Sequence, residues 1–293
     1  MKKKILVLLT ALTMVITSGC SSPTGTASTT PSDTVPEASV ASEDAASQAA
    51  AGTEEAVSST ESGTQGTETA EAGSDTVEKN GEIMILFTSD VHCGVDDNFG
   101  YAGLKKFREY YENQGYETIL VDDGDALQGD AIGYFSKGAD IIDIMNAMEY
   151  DVAIPGNHEF DYNVENFLEL SKKANYKYIC CNFRKNEEVI FDPYTIVEKA
   201  GKKIGFVGVT TPTTITGSTP EFFQNDQGEF IYDFMGDENG QMLYDAVQKA
   251  VDDVRAEGAD YVYLIAHLGN EAVSHPWNYV DVISNTEGID VVL

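Results

Sequence analysis

Positive charge is scarce in this chain: 18 Lys and Arg stand against 49 Asp and Glu, for a formal net charge of −31. Phosphate backbones are gripped by clustered Lys and Arg. The only run of three basic residues is Lys2-Lys3-Lys4, so binding to a nucleic-acid polymer is not expected. Long hydrophobic runs are lacking too, since the stretch Ile5 to Ile16 falls short of the about 20 apolar residues a membrane span needs. Between Ser21 and Lys79 there is not one aromatic residue, and Ser, Thr, Ala, Gly, Glu and Pro dominate. That segment holds 11 Asp and Glu against one Lys, a third of the net charge. It cannot bury enough apolar area to offset its ordering entropy. Residues 21–80 are therefore expected to form a disordered acidic tether, with the folded domain spanning 81–293.

Residues 1–20 read as an export signal: three lysines, an apolar stretch, then the small residues Ser18 and Gly19. The end resembles a bacterial lipoprotein cleavage site, in which Cys20 would carry the lipid and become the new N-terminus. Thr17 departs from the aliphatic residue usual there, and an ordinary signal peptide cut nearby is the plainer alternative. Either implies export, and the first a lipid-anchored protein on the outer face of the cytoplasmic membrane or cell envelope. With Cys20 so used, Cys93, Cys180 and Cys181 form an odd remainder, unlike a disulfide framework. Cys180 and Cys181, adjacent in an expected strand, read as packing residues; Cys93 is left open between packing and reactivity.

From Gly81 onward strand and helix patterns alternate. Ile83 to Thr88, Thr118 to Val121, Val152 to Ile154 and Tyr178 to Cys181 read as strands. Ala102 to Gln114 carries Leu104, Phe107 and Tyr111 at helical spacing, and helices are also expected around Ile141 to Met148 and Val164 to Leu168. The second half adds strands at Tyr194 to Glu198, Lys203 to Thr210, Tyr261 to Ala266 and Ile289 to Leu293. Leu243, Ala246, Val247, Ala250, Val251 and Val254 mark its amphipathic helix. The alternation predicts an α/β fold with helices covering sheets.

Polar residues collect where the strands end. Asp90 and His92 follow the first, Asp125 the second, Asn157, His158 and Glu159 the third, and His267 a later one. Ligands of open α/β sheets bind beyond the carboxyl ends of strands. Carboxylate, amide oxygen and imidazole together suit borderline divalent metals such as Mn, Zn or Fe. A single Asp or His after a strand is more often a cap or turn residue. Three of the four histidines at such positions, each within two residues of Gly, Asp or Asn, are hard to assign to capping.

The runs TSDVHCG (88–94), DDGDALQGD (122–130), GNHEFD (156–161) and AHLG (266–269) resemble, in order and spacing, the calcineurin-like metallophosphoesterases. Their likeness is greatest to the 5′-nucleotidase and 2′,3′-cyclic-nucleotide phosphodiesterase branch. The resemblance implies a four-layer sandwich of mixed sheets flanked by helices, and two divalent ions (Mn, Zn, Fe, Mg or Ca). By position, Asp90 and His92 would bind the first metal, Asp125 would bridge both, and Asn157 and His267 would bind the second. His158 would be the catalytic histidine, oriented by Asp161. Glu159 would be a structural neighbour and His275 a surface or packing residue. The implied substrate is a nucleotide or other phosphate ester, met outside the cytoplasm.

The family pattern continues with a Gly-His-x-His run and a C-terminal domain, whereas the sequence given ends at Leu293. The expectation is a fragment of a longer enzyme, incomplete at its C-terminus. Two alternatives stand beside it: a non-catalytic metal-binding lipoprotein or truncated relic, and a member of the sulfur-chemistry branch of the superfamily.

Overall fold

The computed structural model describes residues 77–293 apart from Glu271. The signal segment, Cys20 and the tether up to residue 76 lie outside the described residues.

Strands β1 (Ile83–Thr88), β2 (Glu117–Asp122), β3 (Val152–Ala153) and β4 (Lys177–Tyr178) form a parallel sheet in that order. Two short strands follow, β5 (Arg184–Lys185) and β6 (Glu188–Val189), and then β7 (Tyr194–Lys199) and β8 (Lys202–Thr210). Next come β9 (Tyr232–Asp233), β10 (Tyr261–His267) and β11 (Val291–Val292). The second sheet runs β11-β10-β8-β7, with β7 antiparallel to β8 and the other pairs parallel. A third, antiparallel sheet is β6-β5-β9.

The two large sheets meet face to face. Ile119, Val121, Val152 and Ile154 from the first pack with Ile204, Phe206, Tyr263 and Ile265 from the second. Side chains alternate along a strand, so Leu120, between Ile119 and Val121, joins the outer core under the helices. That core is covered by α1 (Gly100–Glu112), α2 (Ala131–Ser136), α3 (Ala139–Met148) and α4 (Val164–Ser171). After the short α5 (Thr214–Gly217), α6 (Gln241–Ala256) buries Leu243, Val247, Ala250, Val251 and Val254 on the second sheet's outer face. Each of the Leu and Val side chains contributes roughly 1.5–3 kcal/mol when fully buried. Helix α7 (Tyr279–Ser284) adds Val282 to this side. The order helix, sheet, sheet, helix is the expected four-layer architecture.

Several boundaries differ from expectation. The helix predicted over Ala102 to Gln114 spans Gly100–Glu112. The strand predicted to run through Cys181 stops at Tyr178, because the chain there leaves one sheet for the other. Cys180 N–H donates to Asp192 O at 3.0 Å and Cys181 N–H to Gly208 O at 2.8 Å, on the second sheet's side. The small third sheet and the short helices α2, α5 and α7 carry too few residues to make a readable period.

Candidate metal centre

The loops after β1 and β2 are laced together by backbone hydrogen bonds. Asp90 N–H donates to Gly124 O at 3.0 Å, His92 N–H to Asp125 O at 2.9 Å, and Cys93 N–H to Ala126 O at 3.1 Å. This lacing holds Asp90, His92 and Asp125 at φ values of 54°, 47° and 59°. Such left-handed backbone is costly outside glycine and recurs at functional sites. Close approach is the reason for the neighbouring glycines. A Cβ at Gly124 would lie 2.3 Å from Gly156 N, and one at Gly156 2.2 Å from Asp125 Oδ1.

Asp125 is the buried centre, 2% exposed. Its Oδ1 accepts from His158 N–H at 2.7 Å. Its Oδ2 faces His267 Nε2 at 3.2 Å and His92 Nε2 at 3.8 Å. Burial opposes its ionisation, yet the His267 and His158 imidazoles and these hydrogen bonds hold its pKa down at about 2. Each of the two imidazoles reaches a backbone carbonyl through its other nitrogen: His92 Nδ1 meets Gln128 O at 3.2 Å and His267 Nδ1 meets Asp123 O at 2.8 Å. With Nδ1 donating, Nε2 is the nitrogen each ring turns toward the centre, the arrangement found in metal-binding histidines.

The nitrogen of His267 faces two oxygens. His267 Nε2 sits 3.1 Å from Asn157 Oδ1 as well as 3.2 Å from Asp125 Oδ2. In the metal-free site a proton on His267 Nε2 bridges these oxygens, and a divalent cation would take its place. Burial alone would favour a neutral His267, but the Asp125 carboxylate overrides it and holds the pKa well above its ordinary value. Asp90, His92 and Asp125 each offer one ligand atom within 4.8 Å of the others. The donor set Asp90, His92 and Asp125 fits a divalent cation, and Asn157 and His267 stand on the other side of Asp125.

His158 lies on the His92 side, its ring centroid 5.2 Å from that of His92. Its Nδ1 meets Asp161 Oδ2 at 2.7 Å. This hydrogen bond raises the His158 pKa above the ordinary value, against desolvation. All seven residues expected at the site after residue 80 are therefore brought together. His275 is not among them; it is exposed and pairs with Asp281 at 3.0 Å. Cys93 is buried and hydrogen-bonds Leu127 O at 3.2 Å. Burial pushes its thiol pKa up to about 11, which favours packing over reactivity.

Three contributors were less visible in the sequence. Glu159, read as a neighbour, is 1% exposed and accepts from four backbone N–H groups. They belong to Gly156, Asp125, Ala126 and Leu127, so one carboxylate ties the loop after β3 to that after β2. Burial and the Asp125 charge raise its pKa while the N–H donors pull it back; four donors and no acceptor favour the ionised form. Asp123 is buried beneath His267, and its Oδ1 has no hydrogen-bond partner among the described residues. Ser218 Oγ donates to Asp161 Oδ1 at 2.9 Å. A lone Ser in a Thr-rich loop carries no sequence signal for that contact.

A family model described as calcineurin-like phosphoesterase matches residues 83–293. The chain belongs to that family. Among curated calcineurin-like relatives, the trifunctional nucleotide phosphoesterase YfkN of Bacillus subtilis is 27% identical over 247 residues, covering 72% of this chain and 16% of the relative. The crystal structure of its calcineurin-like phosphoesterase superposes with a TM-score of 0.59 at 26% identity, covering 71% of this chain and 70% of that one. The 2′,3′-cyclic-nucleotide 2′-phosphodiesterase/3′-nucleotidase of Haemophilus influenzae is 29% identical, covering 64% of this chain and 31% of the relative. A snake venom 5′-nucleotidase from Gloydius brevicauda is 32% identical, covering 47% and 27%. The chain thus spans less than a third of the length of these curated relatives.

Proposed function

We propose that this domain hydrolyses phosphate esters of nucleosides with two divalent ions, on the outer side of the cytoplasmic membrane. The observation that carries the reading is Asp125, whose Oδ2 has an imidazole Nε2 on either side, at 3.2 and 3.8 Å. Asp90, His92 and Asp125 would hold one ion, and Asp125, Asn157 and His267 the other. When bound, such ions supply Lewis-acid polarisation of the phosphoryl oxygens and neutralise charge in the transition state.

The chain's own residues do the rest. Asp125 presents one oxygen to the ions and commits the other to His158 N–H, so it cannot swing. As a water molecule attacks phosphorus and releases a proton to solvent, His158, with Nδ1 tied to Asp161, gives its Nε2 proton to the oxygen of the departing alcohol. The relatives named for nucleotides and cyclic nucleotides support a nucleotide substrate, and the mixed oxygen and nitrogen ligands favour Mn, Zn or Fe over Mg or Ca. Export and a lipid on Cys20 would put the activity where nucleotides are met outside the cell.

Phosphate release from nucleoside monophosphates and 2′,3′-cyclic nucleotides, in the presence of each metal in turn, tests the reading. Turnover that depends on metal and falls at least about 100-fold in His158→Ala supports it. Undiminished activity in that variant sinks the mechanism. Cys20→Ser should abolish the lipid-sized mass increment of protein extracted from membranes; an unchanged mass sinks the anchor.

A further inference from the structure

Asp161 spends only one of its oxygens on His158. Oδ2 meets His158 Nδ1 at 2.7 Å, and Oδ1 accepts from Ser218 Oγ at 2.9 Å. The second partner comes from 57 residues further along the chain, out of the loop after β8. That loop is itself fixed to the metal centre. Thr211 N–H donates to His267 O at 2.8 Å, the buried Thr214 hydroxyl donates to Thr211 O at 2.6 Å, and Ser218 N–H donates to Thr214 O at 2.9 Å. Ser218 closes α5 and delivers its hydroxyl to Asp161 from the second sheet, while His158 and Asp161 stand on the loop after β3 of the first.

A carboxylate turns easily about its last torsion, which is broad and two-fold. A donor on each oxygen stops that rotation, and with it the tilt of the imidazole that the carboxylate holds. We propose that Ser218 is a positioning residue for His158, acting through Asp161 and linking the proton-donating group to the segment that carries His267. The inference rests on the phosphoesterase reading above.

The test uses the full chain loaded with Mn²⁺ and two esters, a nucleoside 5′-phosphate with a poor alkoxide leaving group and p-nitrophenyl phosphate with a good one. Ser218→Ala is expected to lower kcat on the nucleotide roughly tenfold, a fraction of the loss from a full 1 Å misplacement. KM should stay within about twofold, and the aryl ester should be less affected because its leaving oxygen needs no proton. Ser218→Thr, which keeps the hydroxyl, should restore most of the rate. Thr216→Ala, an exposed change in the same loop, should be silent. Equal rates in Ser218→Ala and the parent overturn the proposal, as does an equal loss on both esters accompanied by weaker metal binding. A parent inert toward every ester sinks the phosphoesterase reading instead. The relay is then decided by the His158 Nδ1–H proton resonance of metal-free ¹⁵N-labelled protein. A line that broadens in Ser218→Ala supports the relay, and one that does not change overturns it.

Discussion

The backbone N–H of Asp125 donates to the buried Glu159 carboxylate at 2.8 Å, so the residue at the centre of the metal site is held from behind by a second acid. The same carboxylate takes Gly156 N–H at 2.6 Å and Ala126 N–H at 2.8 Å. In Glu159→Gln, an amide nitrogen would face N–H donors that now meet an oxygen. Loss of about 2–4 kcal/mol is expected, together with weaker metal binding. Urea denaturation with and without metal measures both; a variant as stable as the parent would show that the four donors find water instead.

The two loci should separate on titration. His267→Ala and Asn157→Ala are expected to lose one ion and keep the other, His92→Ala the reverse, and Asp125→Ala both. Each lost ligand should weaken its own ion by at least about 100-fold, beyond the 10–100-fold typical of residues that only orient a ligand. Calorimetry with Mn²⁺, backed by metal content after gel filtration, reads the stoichiometry. Loss of both ions from every single variant would mean one cooperative site rather than two.

The His158–Asp161 hydrogen bond raises the imidazole pKa, so the cation persists above the usual value of about 6.5. Its stabilising contribution is complete below the unfolded pKa and is lost as pH rises through the folded one. Asp161→Asn removes the largest cause of the shift. In the metal-free protein, NMR titration of His158 should then give a lower pKa than in the parent. The alkaline limb of turnover should move to lower pH in the same variant. A His158 titration unmoved by Asp161→Asn contradicts the assignment.

Gly156→Ala puts a methyl 2.2 Å from Asp125 Oδ1 and 2.7 Å from Asp125 N. Neither neighbour is a flexible side-chain end, so Asp125 must shift. Metal affinity should collapse, with a stability cost of about 1–3 kcal/mol as for other overpacked sites. A variant that binds metal as the parent does would show that the loop after β3 gives way easily.

Native protein should resist alkylation at Cys93, Cys180 and Cys181, all of them buried. Burial raises the pKa of each thiol, that of Cys93 to about 11. Iodoacetamide at neutral pH followed by peptide mass spectrometry should find these thiols modified only after unfolding. Rapid labelling of folded Cys93 would reopen the question of a reactive thiol.

The site was legible because each ligand lies at the end of an apolar strand, with a glycine or a small polar residue within two positions. Asp90, Asp125 and His267 could be placed at strand ends without knowing how the strands are ordered. What escaped was carried by contacts between distant loops. Nothing in GNHEFD distinguishes Glu159 as a four-donor acceptor from Glu159 as a surface acid, and Ser218 has no pattern around it. The strand through Cys181 was misjudged because a run of apolar residues reads the same whether it stays in one sheet or crosses to another. Helices α3 and α6 were clear, since each shows a full apolar stripe.

His267 Nδ1 meets the carbonyl of Asp123 across 144 residues of chain. Contacts of such separation form only after a large loop has closed, and closing it is slow. The two halves of the metal centre are therefore strangers until the sheets have docked, and a nascent chain would have little hold on metal before then. An ion bound there afterwards would rivet one sheet to the other. It adds to the barrier for pulling them apart, so that chelation should hasten proteolysis even at bonds far from any ligand.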